Sequence, residues 1–332
     1  MNAQTATETR TTARPSGVSP RRAVRLRDYG ILIALVAIVL ALSLSTDTFF
    51  TKANALNVLD QCAVVGLLAT GATVCIISGV FDLTASATLA LSTIIGVQVV
   101  RVTNIFIGFS TAVIVGAGLG YLTGMIVVRS GVNSFIATLA TSIIYRGLAV
   151  IVTSGAIVYP LTTQTEGFAV FTSPSLFDLT WATMVFVIVV VIVGIVVAAT
   201  TFGRRIYAVG GNIEAARLSG IRVGSVQVSA YIISGICSAL AGLILCSRAG
   251  SAQSSMATGM ELAAIAAAVI GGTSILGGEG AIWRGVVGAF LITLIGNGFN
   301  LLGWDTTYQQ VVQGALILFA VTVDRVLRKR TR

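Results

Sequence analysis

The feature that most constrains this chain is a succession of apolar runs, most of them close to twenty residues long and separated by short polar breaks. An α-helix of about 20 mostly apolar residues crosses the hydrocarbon of a bilayer, and fewer suffice where it is kinked or shielded by protein. Ten segments fit that ruler: Tyr29–Ser45, Val58–Ser78, Leu83–Val100, Asn104–Val128, Ser134–Thr153, Trp181–Thr200, Val228–Cys246, Gly259–Gly272, Gly285–Leu302 and Thr307–Val323. With 55% hydrophobic residues, 10% charged residues and a mean hydropathy of +0.95, a soluble domain would have too little polar surface to cover itself. The expected fold is therefore an all-α integral membrane bundle of about ten helices. The similar positions of the third and eighth segments suggest an inverted repeat with broken helices near the midplane.

The net charge of +9 does not indicate nucleic acid, because the basic residues sit at the two ends and in the breaks between apolar runs. Residues 1–28 read as a disordered basic cytoplasmic tail, 29–324 as the transmembrane domain and 325–332 as a second basic cytoplasmic tail. The first apolar run is followed by no convincing small-x-small cleavage site and by many more spans, and reads as an uncleaved span. With both termini inside, the inner side collects about 17 Lys and Arg, whereas Lys52, Arg101 and Arg248 stand outside, as the positive-inside rule requires.

Several chemistries are excluded. The chain has no histidine, so histidine triads, imidazole metal sites and histidine proton relays are ruled out. Cys62, Cys75, Cys237 and Cys246 lie inside apolar segments without a C-x-x-C pair, and read as small buried side chains. A phosphate-cradling loop needs Gly-Lys before Ser or Thr; here Lys52 follows Thr51 and Lys329 follows Arg328. No nucleophile stands with a base, so an enzyme is not expected.

The longest polar interruption on the inner side is GRRIYAVGGNIEAARLSGIRVGSVQ, residues 203–227. Within it Asn212 suits an N-cap, Glu214 the first turn, Arg217 the position three residues on, and Gly220 a left-handed end; together they predict a helix of about two turns over Ile213 to Ser219. So short a helix is marginal alone, and its stability must come from packing, either on a partner protein or under the bundle.

Here the sequence resembles a known family. GRRIYAVGGNIEAARLSGIRV is similar to the cytoplasmic coupling segment of ribose-, xylose- and inositol-type permeases of bacterial ATP-binding-cassette importers. NSFIATLATSIIYRGLAVIVTSG, GGTSILGGEGAIWRGVVGAFLI and GNGFNLLG resemble other stretches of that family in the same order. The resemblance implies that Asn212, Glu214, Ala215, Ala216 and Gly220 form a coupling helix docked in a groove of the ATPase, with Arg204, Arg205 and Arg217 beside them. The small Ala215 and Ala216 suit close docking.

It also implies the partners: cytoplasmic ATP-binding subunits holding ATP and Mg, a periplasmic or lipid-anchored solute-binding protein, a second permease copy or paralogue, and the lipid of the bacterial inner membrane. This chain itself would hold no cofactor.

Five residues are candidates for the translocation path. Asp82 in SGVFDLTASA sits at a break between two runs; the family pattern there is G-G-I-D-L-S-V-G, of which the aspartate and following leucine match, while glycines are lost at Val80 and Ser86. Its carboxylate either faces the path or caps the next helix over Thr84 and Ala85 while staying hydrated. Arg146 lies deeper and needs a carbonyl cage or an acidic partner, Asp82 or Glu261. Asn297 and Asn300 either bridge helices or face a hydroxylated solute.

Gly116, Gly120 and Gly124 share one helical face and predict close helix contact. The glycine-rich run 271–280 reads as a flexible inner connection, and Ser154 to Thr180 as a docking surface for the binding protein or a lid. A transporter coupled to ions, or a channel, is the alternative function; it normally needs carboxylates or histidines along the path.

Overall fold

In the computed structural model the chain is described at residues 33, 35–175, 178–305, 307–309, 311, 312, 314, 315, 318 and 322. Among these, α1 (Leu35–Ser45) is followed by α2 (Lys52–Ile77), α3 (Ala85–Val102), α4 (Ile105–Ser130) and α5 (Ser134–Thr153). After an irregular stretch holding the one-turn α6 (Thr165–Phe168) come α7 (Trp181–Ala199), α8 (Thr201–Gly211), α9 (Ile213–Leu218), α10 (Val223–Ala249), α11 (Met260–Ile270) and α12 (Ile282–Leu301). Seven of these are long and apolar enough to span a bilayer: α2, α3, α4, α5, α7, α10 and α12.

Local chemistry sets many of the ends. The side chains of Thr51, Asn104, Asn133 and Thr180 accept backbone N–H bonds at the starts of α2, α4, α5 and α7, and Gly131 and Gly250 close α4 and α10 in left-handed conformations.

Two long antiparallel helices, α2 and α10, form the centre. In α2 83% of the apolar window is buried by protein, against 22% in α5 and 28% in α7, so the latter two lie at the periphery of the bundle with most of their apolar surface outward. Closeness at the centre comes from small residues. A Cβ on Gly71 would stand 2.8 Å from the Cα of Ser234, and one on Gly116 2.6 Å from the Cβ of Ala239. Gly116, Gly120 and Gly124 all face α10, as their spacing implied.

Each end of the bundle is tied together separately. At one end Lys52 meets Asp178 at 2.8 Å, the Arg248 guanidinium donates to Asn57 (3.0 Å), Gln164 donates to the Val100 carbonyl (2.7 Å) and residues 158 and 252 pair their backbones. At the other, the Phe81 N–H donates to Ser134 Oγ (3.1 Å), Tyr231 Oη to the Phe81 carbonyl (2.8 Å) and the Gly278 N–H to the Ile77 carbonyl (2.9 Å). The groups so joined are those the charge pattern assigns to opposite sides.

Several boundaries differ from expectation. The second span begins at Lys52, not Val58, because Asn54, which looks like part of a polar break, lies buried on the helix against Asn297. The seventh begins at Val223, not Val228. The eighth is α11, only 11 residues and so about 16 Å long, half the membrane thickness; it follows an irregular stretch, 250–259. The tails, about half of the tenth segment and most of the start of the first lie outside the described residues.

The run 271–280 is a packed turn: Thr273 and Ser274 are fully buried, and the Ser274 N–H donates to the Glu279 carbonyl (2.9 Å). Residues 154–175 fold onto the bundle, with Phe168 and Phe171 against Phe109 at ring distances of 5.9 and 5.5 Å.

Candidate coupling site and polar path

The polar interruption is more ordered than its composition implied. Its first half, TFGRRIYAVGG, is the helix α8, begun by Thr200 accepting the Gly203 N–H (3.2 Å). Gly203, Ile206 and Val209 are buried, while Arg204, Arg205 and Ala208 face out, so the helix lies with one stripe on the bundle.

Asn212 then ends α8 and begins α9. Its N–H donates to the Ala208 carbonyl (3.1 Å), and its Oδ1 accepts the Ala215 N–H (2.9 Å), the predicted cap. Arg217 donates to Glu214 at 3.3 Å. Gly220, at φ 79°, turns the chain, with the Gly220 and Ile221 N–H groups donating to Arg217 and Ala216 carbonyls (both 3.0 Å).

The two alanines do not act alike: Ala216 is buried against the bundle, and Ala215 is exposed beside Glu214 and Arg217. Leu218 is 89% exposed at the tip. Behind α9, an open groove of about 910 Å³ carries Arg204, Arg205 and Arg222, for which no acidic side chain is a partner among the described residues.

The path candidates do not converge on one point. Asp82 is 4% exposed; Oδ1 accepts from the N–H (2.9 Å) and Oγ1 (2.6 Å) of Thr84, and Oδ2 from Ser234 Oγ (2.6 Å). The bond to the Thr84 N–H fits the capping alternative, but the carboxylate is buried against α10, where Ser234 Oγ donates to it, and is not turned to solvent.

Arg146 takes the carbonyl cage. Its Nη1 donates to the carbonyls of Ser254 (2.6 Å) and Met256 (2.9 Å), and Nη2 to Ser86 Oγ (3.0 Å). Those carbonyls are free because the chain ahead of α11 is not helical there. Asp82 is not a hydrogen-bond partner of Arg146. Glu261, in the first turn of α11, is near enough to act on it electrostatically and keeps Oε2 buried without a hydrogen-bond partner among the described residues.

Asn297 pairs with Asn54, each amide donating to the other (2.7 and 3.2 Å), which bridges α2 to α12. Asn300 is exposed at the end of α12. The sequence reading missed Asp60, buried on α2 and accepting hydrogen bonds from Thr180 Oγ1 and from Thr183 Oγ1, the latter at 3.1 Å. An acid inside an apolar run was the available signal.

A multi-pass helical bundle built around two long central helices, with interrupted segments beside them and amphipathic helices at one end, is the class of a membrane transport permease. The chain belongs to the family described as branched-chain amino acid transport system / permease component, which matches residues 54–321. It is 39% identical over 306 residues to a ribose import permease protein of Bacillus subtilis (strain 168), covering 90% of this chain and 93% of that one. It is 36% identical over 301 residues to a ribose import permease protein of Escherichia coli (strain K12), covering 90% and 94%, and 36% identical over 304 residues to a D-allose transport system permease protein of the same organism, covering 91% and 92%.

Proposed function

We propose that this chain is the membrane subunit of an importer for a monosaccharide or cyclitol, driven by ATP hydrolysed on a separate cytoplasmic subunit. The named substrates of its relatives, ribose and allose, support the solute class. The motor would hold ATP and Mg, a second permease copy would complete the path, and an external binding protein would deliver the solute. In this reading both termini face the cytoplasm, and α8 and α9 lie on the cytoplasmic side of the inner membrane. Arg146 and Glu261 are the path residues we assign to solute passage, because among the five path candidates these two combine charge, partial exposure and a position beside an irregular segment.

The observation that carries the coupling role is α9: a two-turn helix with Leu218 projecting 89% exposed, beside an outward face of Glu214, Ala215 and Arg217. A leucine so placed is burial surface without a partner. Ion coupling is less favoured, because the hydroxyls of Thr84, Ser234, Thr180 and Thr183 surround the carboxylates of Asp82 and Asp60 instead of leaving them on an open path.

The test is Ala215→Arg and Leu218→Asp in the assembled importer. Both are expected to insert normally and to lose ATPase co-purification and uptake by about tenfold or more. Wild-type uptake in cells lacking every ATPase partner would sink the reading.

A further inference from the structure

We propose that Gly210 is the positioning residue of a backbone joint that carries motion from α9 to both interrupted regions of the bundle. This rests on the importer reading for its purpose, though not for its geometry. Three segments meet at the end of α8. They are Gly210 and Gly211 of that helix, the end of α2 from Ile77 to Gly79, and Gly277 and Gly278 of the packed turn between α11 and α12.

Contact is backbone on backbone. A Cβ on Gly210 would collide with the Ile77 carbonyl oxygen and stand 2.6 Å from the Gly278 nitrogen. One on Gly278 would stand 2.6 Å from the Cα of Gly211, and one on Gly277 3.0 Å from the Cα of Gly79. The Gly278 N–H donates to the Ile77 carbonyl (2.9 Å), and Tyr207 Oη donates to the Gly280 carbonyl (2.9 Å), fastening α8 to the turn a second time.

Such a junction transmits displacement well. Side chains absorb small shifts by changing rotamer, whereas packed main chain has no such freedom. There is little slack on the input side, because Asn212 alone separates α8 from α9 and is hydrogen-bonded to both.

The output divides in two. Gly79 lies three residues before Asp82, whose carboxylate ties the break ahead of α3 to α10. Gly277 and Gly278 lie in the turn that ends α11, the half-length helix whose other end holds Glu261 near Arg146. A shift of α9 therefore reaches both irregular segments through one cluster of backbone contacts around Gly210.

The experiment uses Gly210→Ala, which wedges the joint apart, and Tyr207→Phe, which removes one hydrogen bond and adds no volume. In the purified permease alone, amide exchange over residues 77–84 and 271–280 is expected to rise about tenfold in Gly210→Ala, with α4 unchanged. In vesicles reconstituted with ATPase and binding protein, solute moved per ATP hydrolysed is expected to fall about tenfold in Gly210→Ala and severalfold in Tyr207→Phe, while ATPase association persists.

Exchange changes confined to residues 205–215, or a wild-type ratio of solute to ATP in Gly210→Ala, overturn the proposal. If Gly210→Ala cannot be purified folded, Tyr207→Phe decides, and wild-type behaviour there overturns it. A wild-type permease that recruits no ATPase sinks the importer reading instead, and the exchange measurement then still decides the joint.

Discussion

Asn54 and Asn297 show how one pair of amides settles a choice that residue type leaves open. An asparagine in an apolar helix suits a helix bridge or a hydroxylated solute equally, and only the position of the second amide decides. Here the two exchange hydrogen bonds, and Asn54 donates also to the Phe49 carbonyl (2.9 Å). Asn297→Leu is expected to lower stability by roughly 1–2 kcal/mol, because it leaves the Asn54 amide partly unpaired in an apolar setting. Adding Asn54→Leu should recover part of that loss, a coupling that a double-mutant cycle of thermal unfolding in detergent would measure. If Asn297→Leu abolished uptake without moving the unfolding temperature, the amide would belong to the path.

The same scale shows where sequence reading stops. Arg146 was recognisable as a charge that needs a cage, yet its partners, Ser86 and the carbonyls of Ser254 and Met256, lie 60 to 110 residues away. Nothing local in the sequence encodes that meeting.

At the scale of elements, α4 against α10 is the contact most legible beforehand, since spacing four on a helix puts Gly116, Gly120 and Gly124 on one face. A Cβ on Gly120 would collide with the Tyr231 carbonyl oxygen, whereas one on Gly118, two residues earlier, meets nothing within 4 Å. Gly120→Ala is therefore expected to cost roughly 1–3 kcal/mol by overpacking. Gly118→Ala, on the exposed face of the same helix, is expected to be neutral or to stabilise by up to about 1 kcal/mol through helix propensity. Unfolding temperatures of the two purified variants make the comparison, and equal shifts would contradict the assigned face.

Hydropathy located most of the long helices well because span length is a physical ruler. It failed for α8, whose arginines and glycines read as a loop. The signal that was available is a stripe, with Phe202, Ile206 and Val209 on successive turns, the last two fully buried. It failed again at the start of α2, where polar residues have helical partners, and for α11, whose apolar composition is that of a span while its length is not.

Across the whole molecule, the two sets of end contacts separate the charges. Lys52, Arg101 and Arg248 lie at one end, and Arg129, Arg204, Arg205, Arg217, Arg222 and Arg284 at the other. Each Lys or Arg near an anionic cytoplasmic leaflet contributes about 1 kcal/mol, and the positive-inside bias acts in the same direction. The end bearing α8 and α9 is therefore expected to face the cytoplasm. All four native cysteines are buried, at 0–1% exposure, so the wild-type chain should be nearly blank to a membrane-impermeant maleimide. Lys52→Cys removes only an exposed ion pair with Asp178, and Leu218→Cys an exposed tip, so both variants should fold. In intact cells the reagent is expected to label Lys52→Cys and to spare Leu218→Cys until the membrane is opened. The reverse pattern would place α9 outside, where no ATPase could reach it, and the coupling role would fall with the orientation.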